Sequence, residues 1–295
     1  MTSSRDEPTA PGRPEGRFEV TYWGVRGSIP TPGPSTVRYG GNTICLEIRC
    51  DDRLIILDMG SGARLLGEAL MADAKGAGVE ADVLMSHCHV DHIIGFPFFA
   101  PLFDERTRLR IYGDDAKGVT TEEALRRLLS FPLFPVEYDA LPAALTHVSL
   151  APMDRFELGP VTVKTCALHH PGRALAYRLE HRGRALVHAS DVEHEGDTPD
   201  PSLVDLCRGA DLVNYDAMFT EGVDFDRHRG WGHSTWQAGV RLARAADVER
   251  LVCIHHGPGM SDVRLDAIWQ DLRQELPRGV VAIEGMRVDL LALEG

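Results

Sequence analysis

Residues 86–92 read Ser86-His87-Cys88-His89-Val90-Asp91-His92, which places three imidazoles and one carboxylate within six consecutive positions. The run before it, Ala81-Asp82-Val83-Leu84-Met85, is short and apolar and predicts a buried strand. Ile93-Ile94-Gly95 follows, where a helix can start. Imidazoles crowded at a strand end must stay neutral and find partners, which is costly unless something binds there. Neutral His and ionised Asp are the donors that a divalent transition metal takes. The stretch therefore predicts a metal site rather than a patch of solvated histidines. Side chains alternate along an extended segment, so Cys88 is expected to point away from its neighbours and pack.

The composition around this stretch is that of an ordinary soluble globular protein, with 43% of 295 residues hydrophobic. No apolar run approaches the ~20 residues that span a bilayer, and no membrane contact is expected. Residues 1–17 mix charges, Pro, Gly and Ser without an apolar core. They predict a disordered tail rather than a secretory signal, ahead of one domain over 18–295. Lys and Arg total 31 against 44 Asp and Glu, a net charge of -13. Such a chain lacks the basic face that grips long nucleic acid, whereas a small anionic substrate held by metal ions is compatible with it. The six cysteines are scattered and show no disulfide spacing, which predicts reduced, buried thiols and a cytoplasmic location. A homodimer is an expectation that the sequence leaves open.

Strands are expected over Phe18–Gly24, Thr43–Arg49 and Leu54–Leu57, the last two joined by the turn Cys50-Asp51-Asp52-Arg53. Asp58-Met59-Gly60-Ser61-Gly62 leads into an amphipathic helix over Ala63–Ala74. Between Phe96 and Ala144 the pattern is mixed, with two aromatic and proline-broken stretches around Phe98 and Phe134. These either roof a pocket or pack beneath a long connection. A strand near Leu109–Tyr112 and a helix near Thr121–Leu129 lie between them. The second half repeats the logic of the first. Strands are expected over Val161–Leu168, Ala174–Leu179, Ala185–Ala189, Leu212–Tyr215 and Leu251–Ile254, and near Val280–Ile283 and Met286–Leu291. Helices are expected over Ser234–Ala246 and Val263–Leu276. Two such halves with no linker between them predict sheet packed on sheet with helices outside.

Four side chains in one loop cannot saturate two metals, so further ligands are expected at other strand ends. His169-His170, Asp191 and His255-His256 each follow an apolar run. Any one of them alone is an ordinary polar strand end.

His87-Cys88-His89-Val90-Asp91-His92 resembles the His-x-His-x-Asp-His signature of the metallo-β-lactamase superfamily, and His170, Asp191 and His255 match its later ligand positions in order. The resemblance covers essentially Phe18 to Leu291. It implies an α/β fold, the single-domain αββα sandwich, with a dinuclear metal site at one edge. It assigns His87, His89 and His170 to one ion, Asp91, His92 and His255 to the other, and Asp191 to both. His170 is favoured over His169 by its spacing to Tyr177, and His255 over His256 as the first residue past its strand. Zn is favoured by the histidine-rich set, and Mn or Fe accept the same donors. Asp58 is expected either to support the ligand loop by hydrogen bonds or to cap the helix after it.

Two metal ions that share a water predict hydrolysis, without choosing among β-lactam, thioester, lactone and phosphodiester. Two further segments bear on that choice. Tyr215-Asp216-Ala217-Met218-Phe219 resembles the His-Glu-Ala-Thr-Phe of ribonuclease Z-like enzymes, and Gly232-His233-Ser234-Thr235 resembles their His-Ser-Thr. In that branch the acidic residue orients the histidine, and the histidine supports the phosphate or protonates the leaving alkoxide. The resemblance thus gives catalytic roles to His233 and Asp216, beside Asp91. Asp216 is one methylene shorter than the family Glu, so a looser or water-bridged pair is expected. Trp23–Pro30 and Tyr39–Thr43 resemble the small bacterial members, akin to the phosphonate-pathway cyclic phosphodiesterase. Arg26, Asn42 and Phe98 are candidate substrate contacts. The basic arm of the transfer RNA processing enzymes is not apparent.

The expected function is a dinuclear metal-dependent phosphodiesterase acting on a small or cyclic nucleotide-type substrate. The alternative is a carbon-centred hydrolase of lactones, thioesters or amides in which His233 is structural. A non-catalytic nucleotide binder is the third reading.

Overall fold

The computed structural model describes residues 16–115, 118–194 and 196–294. Most of the expected N-terminal tail, Met1 to Arg17, lies outside these residues. The first sheet is built from β1 (Phe18–Gly24), β2 (Cys45–Cys50), β3 (Arg53–Leu57), β4 (Glu80–Leu84), β5 (Arg108–Asp114), β6 (Ala144–Leu150) and the last strand, β14 (Arg287–Asp289). The second is built from β7 (Arg155–Leu158), β8 (Val161–Leu168), β9 (Ala174–His181), β10 (Arg184–Ala189), β11 (Leu212–Asp216), β12 (Leu251–Ile254) and β13 (Val280–Val281). Their orders are β14-β1-β2-β3-β4-β5-β6 and β13-β12-β11-β10-β9-β8-β7.

The two sheets share one logic. β1, β2 and β3 pair antiparallel, and β3 to β6 run parallel. Likewise β7 to β10 pair antiparallel, and β10 to β13 run parallel. Parallel neighbours need crossovers, and helices supply them. These are α1 (Ala63–Ala74), α2 (Val90–Ile93) and α3 (Thr121–Leu128) on the first sheet, and α4 (Pro201–Cys207), α5 (Trp236–Ala246) and α6 (Asp262–Glu275) on the second.

Alternation along each strand sorts the apolar residues into three layers. Phe18, Val20, Tyr22, Ile48, Ile55 and Leu57 of the first sheet meet Leu175, Tyr177, Leu179, Leu186 and Ile254 of the second in the central core. Their strand neighbours Leu54, Ile56 and Val83 turn outward beneath Leu66 and Leu70 of α1. Val187, Val213 and Cys253 do the same beneath α5 and α6. The architecture is thus the αββα sandwich, and no helix among the described residues is long and apolar enough to cross a membrane.

Three elements depart from the expected pattern. β6 and β7 are edge strands whose side chains are largely exposed, so little apolar periodicity marks them. α4 is a short helix capped by Asp200, whose carboxylate accepts the Ser202 and Leu203 amides. In the aromatic stretch after α2, Phe96, Phe99 and Leu102 are buried against α1, the packing role, whereas Phe98 and Phe103 face solvent. All six cysteines are free, and Cys88 packs against the core under α1 as expected.

Candidate metal centre

The parallel register aligns the carboxyl ends of β4, β10, β11 and β12 on one edge, and β8 runs in the same direction as β10. In open parallel sheets this is where ligands bind. His87, His89, Asp91 and His92 leave β4, His170 leaves β8, Asp191 leaves β10, and His255 leaves β12. Two hydrogen bonds from the second sheet fix the loop after β4: Tyr177 Oη donates to the Met85 carbonyl at 2.6 Å, and the Leu175 amide donates to the Ser86 carbonyl at 2.9 Å.

Asp58 sets the inner half of that loop. Its carboxylate accepts the Ser86 amide at 2.7 Å and the Ser86 hydroxyl at 2.8 Å, and lies 2.8 Å from His92 Nδ1. The residue therefore takes the supporting role. Gly62 occupies the cap of α1, without a side-chain bond. With Nδ1–H given to Asp58, His92 turns Nε2 toward Asp191 Oδ1 at 3.1 Å. His255 Nε2 lies 3.2 Å from the same oxygen and 3.1 Å from Asp91 Oδ2. The other Asp191 oxygen, Oδ2, faces His87 Nε2 at 3.7 Å and His170 Nε2 at 3.8 Å. His170 Nε2 is in turn 3.0 Å from His89 Nδ1. One carboxylate thus faces two groups of donors, one oxygen to each. His87, His89, His170 and Asp191 form one group whose donor atoms lie within 4.8 Å, and Asp91, His92 and His255 form another.

Cations fit this donor set. His87 Nε2 and His92 Nε2 are buried without hydrogen-bond partners, and both face the Asp191 carboxylate. Burial opposes charge on His92, but Asp191, Asp91 and Asp58 outweigh it and raise its pKa well above the usual value. For His255 the same contest ends at about 9, with Asp191 the main counter-charge. Carboxylates that hold protons so firmly on imidazoles will hold divalent ions at the same nitrogens. The residues fit a dinuclear divalent centre.

His233 and Asp216 stand beside it. Asp216 Oδ2 is 2.9 Å from His233 Nδ1, and Oδ1 accepts the Met218 amide at 3.0 Å. The expected loosening of this pair does not occur; the shorter Asp reaches the ring directly. The His233 ring stacks on His255 with centroids 4.9 Å apart and meets His170 edge-on at 5.2 Å. Tyr215, which stands where the branch has His, is buried and bonds His194 and Ser234 instead.

In each doublet one histidine lies in the cluster and the other outside it. His169 is exposed, whereas His170 joins the cluster. His256 turns inward and donates Nε2–H to the Ala282 carbonyl at 3.0 Å.

The expected substrate contacts fare differently. Arg26 is wholly buried, and its guanidinium donates to the carbonyls of Gly40 at 2.8 Å and Met260 at 2.6 Å. It is a brace inside the loop and offers nothing to a substrate. Asn42 is half-buried and engaged with Glu284 at 3.1 Å and the Ser61 hydroxyl at 2.9 Å, so it too braces the loop. Phe98 is 56% exposed, and its ring meets Phe134 edge-on at 5.6 Å.

Sequence reasoning missed two groups that reach the cluster's surroundings. The Ser28 amide donates to Asp91 Oδ2 at 2.7 Å, and the Glu193 carboxylate accepts the amides of Gly230 and Gly232. The first acts through its backbone, which carries no residue signature beyond the Gly-rich loop. Nothing in the spacing marks the second.

A family profile described as a beta-lactamase superfamily domain matches residues 56–256. Ribonuclease Z of Thermoplasma acidophilum is 22% identical over a match that spans 88% of this chain and 92% of its own. Among solved structures, the metallo-beta-lactamase fold protein YhfI from Bacillus subtilis superposes with a TM-score of 0.69 at 18% identity, covering 92% of this chain and 99% of its own. A diphosphatase from the PhnP family gives 0.65 at 16% identity, covering 92% and 97%. With the profile spanning the strands that carry all seven clustered residues, the chain belongs to the metallo-β-lactamase superfamily, in its ribonuclease Z-like branch of metal-dependent hydrolases.

Proposed function

We propose that the protein is a phosphodiesterase that cleaves a small or cyclic nucleotide-type phosphodiester with His233 as general acid. The observation that carries this reading is the Asp216–His233 contact at 2.9 Å beside the cluster. Asp216 takes the Nδ1–H, which leaves Nε2 as the nitrogen that exchanges a proton with substrate. A phosphodiester expels a poor alkoxide, so a positioned imidazole contributes ~10²–10⁴-fold to its departure. Ring opening of a strained amide or a thioester has less need of it.

His87, His89, His170 and Asp191 would hold one ion, and Asp91, His92, His255 and Asp191 the other, with Zn favoured by the imidazole-rich donors. Two such ions supply Lewis acidity and a nucleophile at neutral pH. The chain's part is to keep these donors aimed. Asp58 does so for His92, the Gly232 carbonyl for His170 at 2.7 Å, and the Ser28 amide for Asp91.

The preference for a small substrate rests on charge. A net charge of -13 repels a polyanion as long as a transfer RNA more than it does a small phosphodiester. The ribonuclease Z relative supports a second reading, RNA cleavage at the same centre. Metal-replete protein should be assayed with bis(p-nitrophenyl) phosphate, cyclic nucleotides, a transfer RNA precursor and a lactone. Turnover of the first two alone supports the proposal. Turnover of the precursor alone favours the second reading, and turnover of the lactone alone sinks both.

A further inference from the structure

We propose that Glu193 is a positioning residue that orients His170 and His233 together, through the backbone of Gly230–Gly232. It is 7% exposed, and its carboxylate is spent on main-chain donors. Gly230 N–H reaches Oε1 at 2.8 Å and Oε2 at 2.9 Å, and Gly232 N–H reaches Oε2 at 2.8 Å. Its own amide donates to the His169 carbonyl at 3.0 Å. Gly232 closes the circuit, because its carbonyl accepts Nδ1–H of His170 at 2.7 Å. Four residues therefore form one ring of hydrogen bonds: His169 carbonyl to Glu193 amide, Glu193 carboxylate to Gly232 amide, Gly232 carbonyl to His170 imidazole.

The ring acts on both histidines. His170 has one tautomer available while Gly232 O faces its Nδ1, and in that tautomer Nε2 is a lone pair aimed at the cluster. His233 follows Gly232 in the chain, so the amide that Glu193 fixes also sets where the next side chain begins. No side chain fits at 232: a Cβ there would lie 2.3 Å from His170 Nδ1 and 2.2 Å from Pro171, at a φ of +85°. The contact is that tight because the carbonyl must reach the ring. Glu193 also lies two positions past Asp191, and the intervening Val192 amide approaches Asp216 Oδ2 at 3.4 Å. One short turn thus carries a cluster carboxylate, a contact to the Asp216–His233 pair and the clamp. A carboxylate holds these two N–H groups more strongly than a neutral side-chain amide would.

The effect on His170 stands on the donor cluster alone, whereas the effect on His233 rests on the phosphodiesterase reading. The test is Glu193→Gln in the full chain, with two measurements. The first is zinc affinity by competition with a chromophoric chelator. The expected result is a ~10–100-fold loss for one ion with the other unchanged, the size typical of a lost support behind a ligand. Unchanged affinity for both ions overturns the role at His170. The second compares kcat on a cyclic nucleotide, which expels an alkoxide, with kcat on bis(p-nitrophenyl) phosphate, which expels a stabilised phenolate. The expected drop is ~10-fold or more on the former and under about 3-fold on the latter, as general-acid dependence requires. Equal drops on both overturn the role at His233. If the wild type turns over neither substrate, the phosphodiesterase reading falls, and the zinc titration alone decides Glu193. If Glu193→Gln does not fold, Glu193→Asp keeps the charge with a shorter reach, and its zinc loss is expected to be measurable but smaller; wild-type affinity for both ions then overturns the proposal.

Discussion

Asp216 Oδ2 lies 2.9 Å from His233 Nδ1, while the ring of His233 stacks on that of His255 at 4.9 Å. The first contact assigns the proton, and the second places the ring against a member of the cluster. His233 also falls with Asp191 and His255 in a group of donors within 4.8 Å, so two roles compete for it, ligand and acid. His233→Ala separates them. As an acid, its loss should cut kcat on a cyclic nucleotide ~10²–10³-fold and leave the metal content per chain unchanged. Metal analysis of the variant beside its kinetics decides the matter, and a lost ion would assign His233 to the ligands.

Gly27 presses on His255. A Cβ at position 27 would fall 2.2 Å from the imidazole, so Gly27→Ala must displace the ring or the loop. The next residue, Ser28, holds Asp91 through its amide at 2.7 Å, and the same displacement should release that bond. His255 and Asp91 belong to one donor group. The expected outcome is a chain that binds one ion tightly and the other ~10–100-fold more weakly, read by zinc titration. Two tight ions in this variant would mean that the loop yields without consequence for the site.

The strands that carry ligands were legible because they are buried on both faces and read as short apolar runs, as at Val83–Met85 and Leu251–Ile254. The choice within each histidine doublet was a different matter. It came from resemblance to a family, since one residue's shift along an extended segment moves a side chain to the opposite face. β8 shows the physical basis: Leu168 and His170 are buried, and His169 between them is exposed. Arg26 could not be read. A guanidinium in a Gly-rich turn is ordinarily solvated, and only the fold brings the carbonyls of Gly40 and Met260, the second of them 234 positions away, onto it. Glu193 and Ser28 were missed for a related reason, since each acts on or through main-chain amides, which look alike at every position.

The buried position of Arg26 yields its own expectation. Arg26→Ala strips the bonds from two carbonyls and leaves Glu284, itself held protonated more readily by burial, without its nearby cation. Each buried carbonyl left unpaired costs ~1–3 kcal/mol. The variant should unfold at distinctly lower denaturant. Where it remains folded, its KM should match the wild type, because the side chain touches no substrate. A raised KM in a variant of wild-type stability would restore Arg26 as a binding residue.

His256 makes folding sensitive to mild acid. Burial, with smaller contributions from Arg26 and His255, pushes its pKa down to about 3, even though the bond to the Ala282 carbonyl works the other way. In the unfolded chain the imidazole takes its ordinary value near ~6.5. Below that pH the unfolded chain binds a proton that the folded chain refuses, so this contribution is whole above pH ~6.5 and declines as pH falls toward about 3. Between pH 6.5 and pH 5 the loss is about 2 kcal/mol, at ~1.4 kcal/mol per unit. His256→Gln keeps an N–H for Ala282 and removes the titration. Urea unfolding of both proteins in saturating zinc, at pH 7.5 and pH 5, should therefore show a pH-dependent loss about 2 kcal/mol smaller in the variant. Protonation of the clustered histidines lowers stability in both and cancels in the difference. Equal losses in the two proteins would show that His256 reaches solvent or a counter-charge before the chain unfolds.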